Sequence, residues 1–255
     1  MAIENPEVLD PALYPELAQS GGLSPALQRI FDGLSADLHV TKVEGVVSPG
    51  WAFVREGSRQ SQIVAALIKR NFHVDFWYQG VYYGSGGASD LTEVATAIVA
   101  FHLENVSIHQ MASRFVWLKP NKQVLSHQRG AEFFVTECWQ DLERWLIADR
   151  PPLVDQLLPL VLEAAKQPDL RGLLPFTSHN RLCFSRTTGY PYSYDCPLAW
   201  PVEDGLFRVA AADEQTVLGE GDAARAAVIL AVNLPKNCGS AINGTAEDLE
   251  RPALV

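Results

Sequence analysis

The chain has 255 residues, of which 47% are hydrophobic and 20% charged, values that suit one large globular domain or two small ones with a buried core. A formal net charge of −10 and a pI near 5.0, with no run of Lys or Arg, argue against a phosphate-backbone partner held on a basic face, so no nucleic acid is expected. Cys138, Cys183, Cys196 and Cys238 show no CxxC or CxxH spacing, which argues against zinc or a paired redox motif, and no cofactor is expected.

The opening MAIENPEVLDPALYPEL lacks a basic region followed by an apolar one, so no signal peptide is expected. The longest apolar runs, such as LLPLVLEAA, are too short to span a bilayer. These features predict a cytoplasmic protein with reduced thiols and no membrane partner.

Residues 1–12 are rich in Pro and acid and read as a flexible arm. A helix is expected to follow with Ser24 as N-cap and Pro25 at its first position, and with Leu27, Ile30, Phe31 and Leu34 on one face. From Val40 to Ser85 the period falls to two. HVTKVEGVV, GWAFVREG, QIVAALIKR and FHVDFWYQGVYYGSG predict an antiparallel meander with a hairpin tip at Gln79-Gly80. GSGG at Gly84–Gly87 reads as a flexible strand-to-helix turn. A phosphate cradle there would lack its Lys, and Asp90 would repel an anion.

Asp90 and Glu93 form a capping-box-like start to a helix through His102, and a short helix is expected near Ile108–Phe115. GAEFFVTECWQDLERWLIADR predicts an amphipathic helix with a stripe of Phe134, Cys138, Leu142 and Trp145. PPLVDQLLPLVLEAAKQ predicts another, kinked or divided at Pro159. Strands return in LLPFTSHNRLCFSRTT, LAWPVEDGLFRVAAA (turning at Asp204-Gly205) and QTVLGEG. A helix capped by Asp222 follows, and the tail after Asn237 reads as mobile.

The expected class is α+β: an antiparallel meander with helices, then a second small β-layer with a C-terminal helix. The expected divisions are an arm at 1–12, an N-terminal unit at 13–125 and a helical connection at 126–168. A β-rich unit at 169–237 and a tail at 238–255 complete them, with one composite domain as the alternative.

YPELAQSGGLSPALQ, FHVDFWYQGVYYGSGGASDLTEVATAI and LPFTSHNRLCFSRTTGYPYSYDCP, followed by DGLFRV and VLGEGDAARAAVILAVNLP, resemble an actinobacterial domain-of-unknown-function family, number 6193. Its members carry the label "natural product biosynthesis protein". The resemblance spans most of residues 13–245. It implies a soluble protein associated with secondary-metabolite or modified-peptide gene clusters, and it implies no reaction and no catalytic residue.

Among individual residues, FTSHNRLCFSRTTGYPYSYDCP is the densest in reactive groups. Read as one strand, it places Thr177, His179, Arg181, Cys183 and Ser185 on a single polar face. His179 is then the candidate acid or base, Arg181 and Arg186 hold an anionic or carbonyl group, and Tyr192 or Tyr194 supplies a hydroxyl. Thr177 lines the same face. The competing structural reading is an ordinary polar strand face bonded to the loop at Gly189–Tyr194.

A Cys–His dyad is disfavoured. Cys183 stands about 13 Å from His179 along a strand, and Asp195 raises the pKa of Cys196. His102 reads as a buried helix edge, not a metal ligand. Asp75 and Trp77, sharing a strand face with His73, are candidate contacts for a cationic or peptidic ligand.

The expectation is an accessory or tailoring protein that acts on or binds a peptide-derived intermediate, with a biosynthetic enzyme as a further partner. If it is catalytic, it performs metal-free acid/base chemistry such as elimination or cyclisation. The alternatives are a non-catalytic binding module or an immunity-like protein whose acidic surface meets a basic toxin.

Overall fold

A computed structural model of the chain describes residues 9–41, 48–148, 155–203, 205–236 and 238–249. The chain divides between Val124 and Leu125 into two units. Each is built on a five-stranded antiparallel sheet with helices, so the expected α+β class is observed.

The first unit starts with α1 (Pro15–Ser20) and α2 (Leu23–Gly33). The meander β1 (Trp51–Glu56), β2 (Arg59–Ala65), β3 (Phe72–Tyr78) and β4 (Val81–Ala88) follows. Then come α3 (Leu91–His102), α4 (Ile108–Arg114) and a short β5 (Lys119–Pro120), which completes the order β1-β2-β3-β4-β5. Period-two patterning buries Val54, Ile63, Val74 and Phe76 on one face, with α2 packed on β1 and α3 on β2, β3 and β4. Gln79 and Gly80 both take positive φ (50° and 73°), the backbone that a two-residue hairpin turn needs.

Several local expectations shift. α2 begins two residues earlier than expected, capped by Gly22, and the Ser24 hydroxyl instead donates to the Trp51 carbonyl (3.1 Å). Ile30 and Leu34, expected on the apolar face, are respectively half-buried and exposed. Asp90 does cap α3, accepting from the Thr92 N–H at 2.8 Å. Glu93 does not close a capping box but accepts from the Trp117 indole at 2.8 Å. The strand expected over QIVAALIKR ends at Ala65. Beyond it, the buried Tyr14 hydroxyl donates to the Ala66 carbonyl (2.7 Å) and accepts from the Asn71 N–H (3.0 Å), holding residues 66–71 as a loop. Of HVTKVEGVV, Val40 bridges Val54, and residues 42–47 lie outside the described residues.

GSGG is strand, not turn: Gly84–Gly87 lie within β4. A Cβ on Gly86 would stand 2.2 Å from the Trp117 carbonyl oxygen, so glycine here permits a backbone crossing. Gly86→Ala is expected to cost about 2 kcal/mol or more, because a backbone atom has to move. Urea unfolding of the purified variant measures it.

The second unit comprises α5 (Val124–Arg129), α6 (Ala131–Ala148), α7 (Leu158–Ala164), α8 (Pro168–Arg171), β6 (Leu174–Ser178) and β7 (Arg181–Ser185). It continues with β8 (Leu198–Glu203), β9 (Leu206–Ala210), β10 (Val217–Gly221), α9 (Ala223–Val232) and α10 (Ala246–Leu249). Its sheet runs β10-β9-β8-β7-β6. Pro159 sits in the first turn of α7, directly after a 3-10 turn at Asp155–Leu157, so the apolar helix is divided there. Asp222 caps α9 by accepting from the Arg225 N–H at 2.9 Å. The Asp204-Gly205 turn falls partly outside the described residues, and Gly205 has φ 73°.

The buried stripe of α6 is Phe134, Val135, Trp139 and Leu146, rotated by one residue from the expected Cys138, Leu142 and Trp145. The indole decides the rotation: Trp139 is 1% exposed and donates to the Leu173 carbonyl (3.1 Å). The segment after Asn237, expected to be mobile, is docked through Leu249. Ile242 bridges Thr187 in parallel. The Thr188 and Gly189 N–H groups donate to the carbonyls of Ile242 (3.0 Å) and Gly244 (2.7 Å), and the Ala246 N–H donates to the Pro191 carbonyl (2.8 Å).

Candidate functional site

The stretch expected to be one polar strand is a hairpin. β6 ends at Ser178, His179 takes φ 56° in the turn, and β7 starts at Arg181. Ser178 pairs with Arg181, Thr177 with Leu182 and Phe176 with Cys183. This reversal overturns the expected face, because Thr177 now shares a side with Leu182 and Phe184, and Arg181 shares the other with Phe176 and Cys183. His179 is exposed at the tip, its Nδ1 3.4 Å from the Ser178 hydroxyl.

Both arginines expected to hold an anion already hold carboxylates. Arg181 pairs with Glu214 and lies over the Trp200 ring (5.6 Å). Arg186 contacts Asp195 Oδ2 through Nε (2.8 Å) and Nη2 (2.7 Å). Tyr192 and Tyr194 flank Phe176, with ring centroids at 4.5 and 5.7 Å. Burial pushes the Tyr192 hydroxyl up to about 12, and burial also raises Tyr194. The Tyr190–Pro191 peptide bond in this loop is cis. Thiolate formation is disfavoured at two cysteines: burial pushes Cys183 up to about 11, and burial followed by Cys238 and Asp195 raises Cys196.

In the first unit, the expected grouping of His73, Asp75 and Trp77 is present. Phe72, Val74 and Phe76 are buried, and the alternate residues of β3 form a half-exposed face. His73 Nε2 lies 3.0 Å from Asp75 Oδ1, a contact that raises the His73 pKa against the opposing effect of burial. In register, Gln62 and Ser85 flank Asp75, and Gln60 and Tyr82 flank Trp77. Trp77 meets Tyr82 edge-on at 5.3 Å, and the Tyr82 hydroxyl donates to the Ser85 hydroxyl (2.5 Å). The Trp77 indole N–H is buried without a hydrogen-bond partner. Tryptophan nitrogens normally find a partner when buried, so this unused donor is an exception among the residues of β3.

His102 is a buried helix-edge residue, as expected, with Nε2 3.0 Å from the Ser61 hydroxyl. His109 is exposed and Glu104 pairs with Arg114 (3.4 Å). Among the described residues, no group of His, Cys, Asp and Glu is arranged to hold a metal ion, and no helix is long and apolar enough to cross a membrane.

One arginine escaped sequence reading. Arg59 stands opposite Tyr78 in the β2–β3 register, and its guanidinium carbon lies 5.1 Å from the Tyr78 ring centroid and 4.6 Å from that of Phe101. Nothing local marks it, since its surroundings come from β3, β4 and α3.

These features define an α+β protein with a half-exposed polar and aromatic face on one sheet and a tyrosine-lined hairpin on the other. The model of a family of unknown function, DUF6193, matches residues 134–245, so the second unit is similar to that family. The matched region takes in the whole second sheet and the docked segment up to Thr245. No curated protein and no solved structure matches the chain.

Proposed function

We propose that this chain is a non-catalytic accessory protein of bacterial natural-product biosynthesis that holds a peptide-derived intermediate on the Asp75–Trp77 face of its first sheet. The setting rests on sequence resemblance. The binding role rests on one observation, the buried indole N–H of Trp77 left without a partner beside the His73–Asp75 pair. A peptide backbone carbonyl satisfies such a donor, and a cationic side chain complements Asp75 and the neighbouring ring faces. The second unit offers less for catalysis: His179 stands at a hairpin tip, and Arg181 and Arg186 are committed to Glu214 and Asp195.

Linear peptides selected from a displayed library provide the probe, with affinities measured by calorimetry. Trp77→Ala is expected to weaken binding at least about tenfold, the cost of losing a buried aromatic anchor. His179→Ala is expected to leave it unchanged. Trp77→Phe removes the unused donor and trims the indole to a single ring at a half-exposed position, so it is expected to lower stability by about 1 kcal/mol while still weakening binding. Loss of binding in His179→Ala with Trp77→Ala intact would reverse the assignment.

A further inference from the structure

We propose that Arg59, at the start of β2, is the anchor of a carboxylate-binding site on the helix-covered face of the first sheet. The site is separate from the Trp77 face, because Arg59 shares its side of β2 with the buried Ser61, Ile63 and Ala65.

Three observations carry it. First, Arg59 is half-buried, yet among the described residues no carboxylate pairs with it and its guanidinium makes no hydrogen bond. Elsewhere the fold pairs such groups, as in Arg70–Glu16, Arg181–Glu214 and Arg186–Asp195. A desolvated guanidinium without a counter-charge is uncommon, and here burial is the leading influence on it, lowering its pKa. Second, the side chain is held in place without using its donors. The rings of Phe101 and Tyr78 take its faces, and Tyr78 meets Tyr83 edge-on at 5.5 Å, so the planar fork keeps its N–H edges for a ligand. Third, His102, 5% exposed and 5.3 Å from the Phe101 ring, has a buried Nδ1 without a partner, a second unused polar atom beside the ring that Arg59 covers.

A guanidinium fork between two ring faces matches a planar carboxylate joined to an apolar or aromatic group. The carboxylate takes two parallel N–H donors and the apolar part lies along Phe101 and Tyr78. A tetrahedral phosphate gains less from the flanking rings.

The test uses the full chain with benzoate, N-acetylphenylalanine, its neutral amide and inorganic phosphate as probes, followed by NMR at constant ionic strength. The two carboxylates are expected to bind saturably, with the amide at least about tenfold weaker and Arg59→Gln weakening the carboxylates by a similar factor. Arg59→Lys keeps the charge and stem but not the fork. It is expected to weaken them about tenfold as well, and it guards against misfolding of the glutamine variant. Trp77→Ala is expected to leave this binding intact, which separates the site from the peptide-binding face. Equal binding of acid and amide, unchanged binding in both Arg59 variants, preference for phosphate, or no saturation by about 10 mM overturns the assignment.

Discussion

Lowering the pH from 7 to 4 is expected to cost each unit about 3 kcal/mol of stability, through one buried histidine in each. In the first unit, burial and then the nearby Arg59 charge push His102 down to about 4. In the second, burial alone pushes His127 down to about 4, and this ring, 1% exposed, lies 3.4 Å from the Thr188 hydroxyl. The unfolded chain takes up each proton near pH 6.5, whereas the folded chain waits until about 4. Between those values the unfolded state binds more protons, so stability falls as pH falls and the loss is complete near pH 4. Glu16, with its carboxylate pKa lowered, and Asp213, likewise lowered by its hydrogen bonds to Thr216, add their own losses at more acid pH.

Hydrogen exchange read peptide by peptide at pH 7, 5.5 and 4.5 separates the two units. His102→Asn is expected to flatten the pH dependence of the first unit and leave the second steep, and His127→Asn the reverse. Unchanged profiles in both variants would show that other groups carry the effect.

Trp139→Ala is expected to destabilise the second unit by about 3–5 kcal/mol, the range for emptying a large aromatic site. Trp139 is the largest fully buried side chain among the described residues, packed near Phe184 (6.1 Å between centroids) and under the Arg171 guanidinium (5.5 Å). Its indole N–H satisfies the Leu173 carbonyl just before β6, so the helix is tied to the start of the hairpin. Trp139→Phe keeps most of the volume but orphans that carbonyl, with an expected loss of about 1–2 kcal/mol. Urea midpoints of the two variants, compared with the parent, check the order. Equal midpoints for alanine and phenylalanine would show that the hydrogen bond, not the volume, is what matters.

Features governed by neighbours in sequence were legible. Asp90 and Asp222 cap helices through their own next residues, Gln79-Gly80 turns, and Pro159 divides a helix, because each acts within about four positions. The His179 hairpin was missed because its turn has no glycine. With φ 56° at a histidine, Ser-His-Asn passes for continuous strand, and a two-residue reversal moves every following side chain to the other face. The β4 glycines misled in the opposite direction: they look like a loop, but Gly84 and Gly86 make room for the backbone at Lys119 and Trp117, and Gly87 for Asn71 and Phe72, none of them near in sequence. Of the candidate contacts, Asp75 and Trp77 could be grouped by strand parity alone. The surroundings of Arg59 depend on Phe101, Tyr78 and Tyr83 converging from three elements, and no local pattern encodes that.

The docked segment at 241–246 also sets an order of synthesis. The loop from Arg186 to Pro191 exchanges backbone hydrogen bonds with Ile242, Gly244 and Ala246, which leave the ribosome more than fifty positions later. The whole first sheet, by contrast, is complete once Pro120 has emerged. The five strands of the second sheet have emerged by Gly221, but the backbone of Thr187–Gly189 stays unpaired until residues 242–244 follow, so a chain cut before them leaves that loop open.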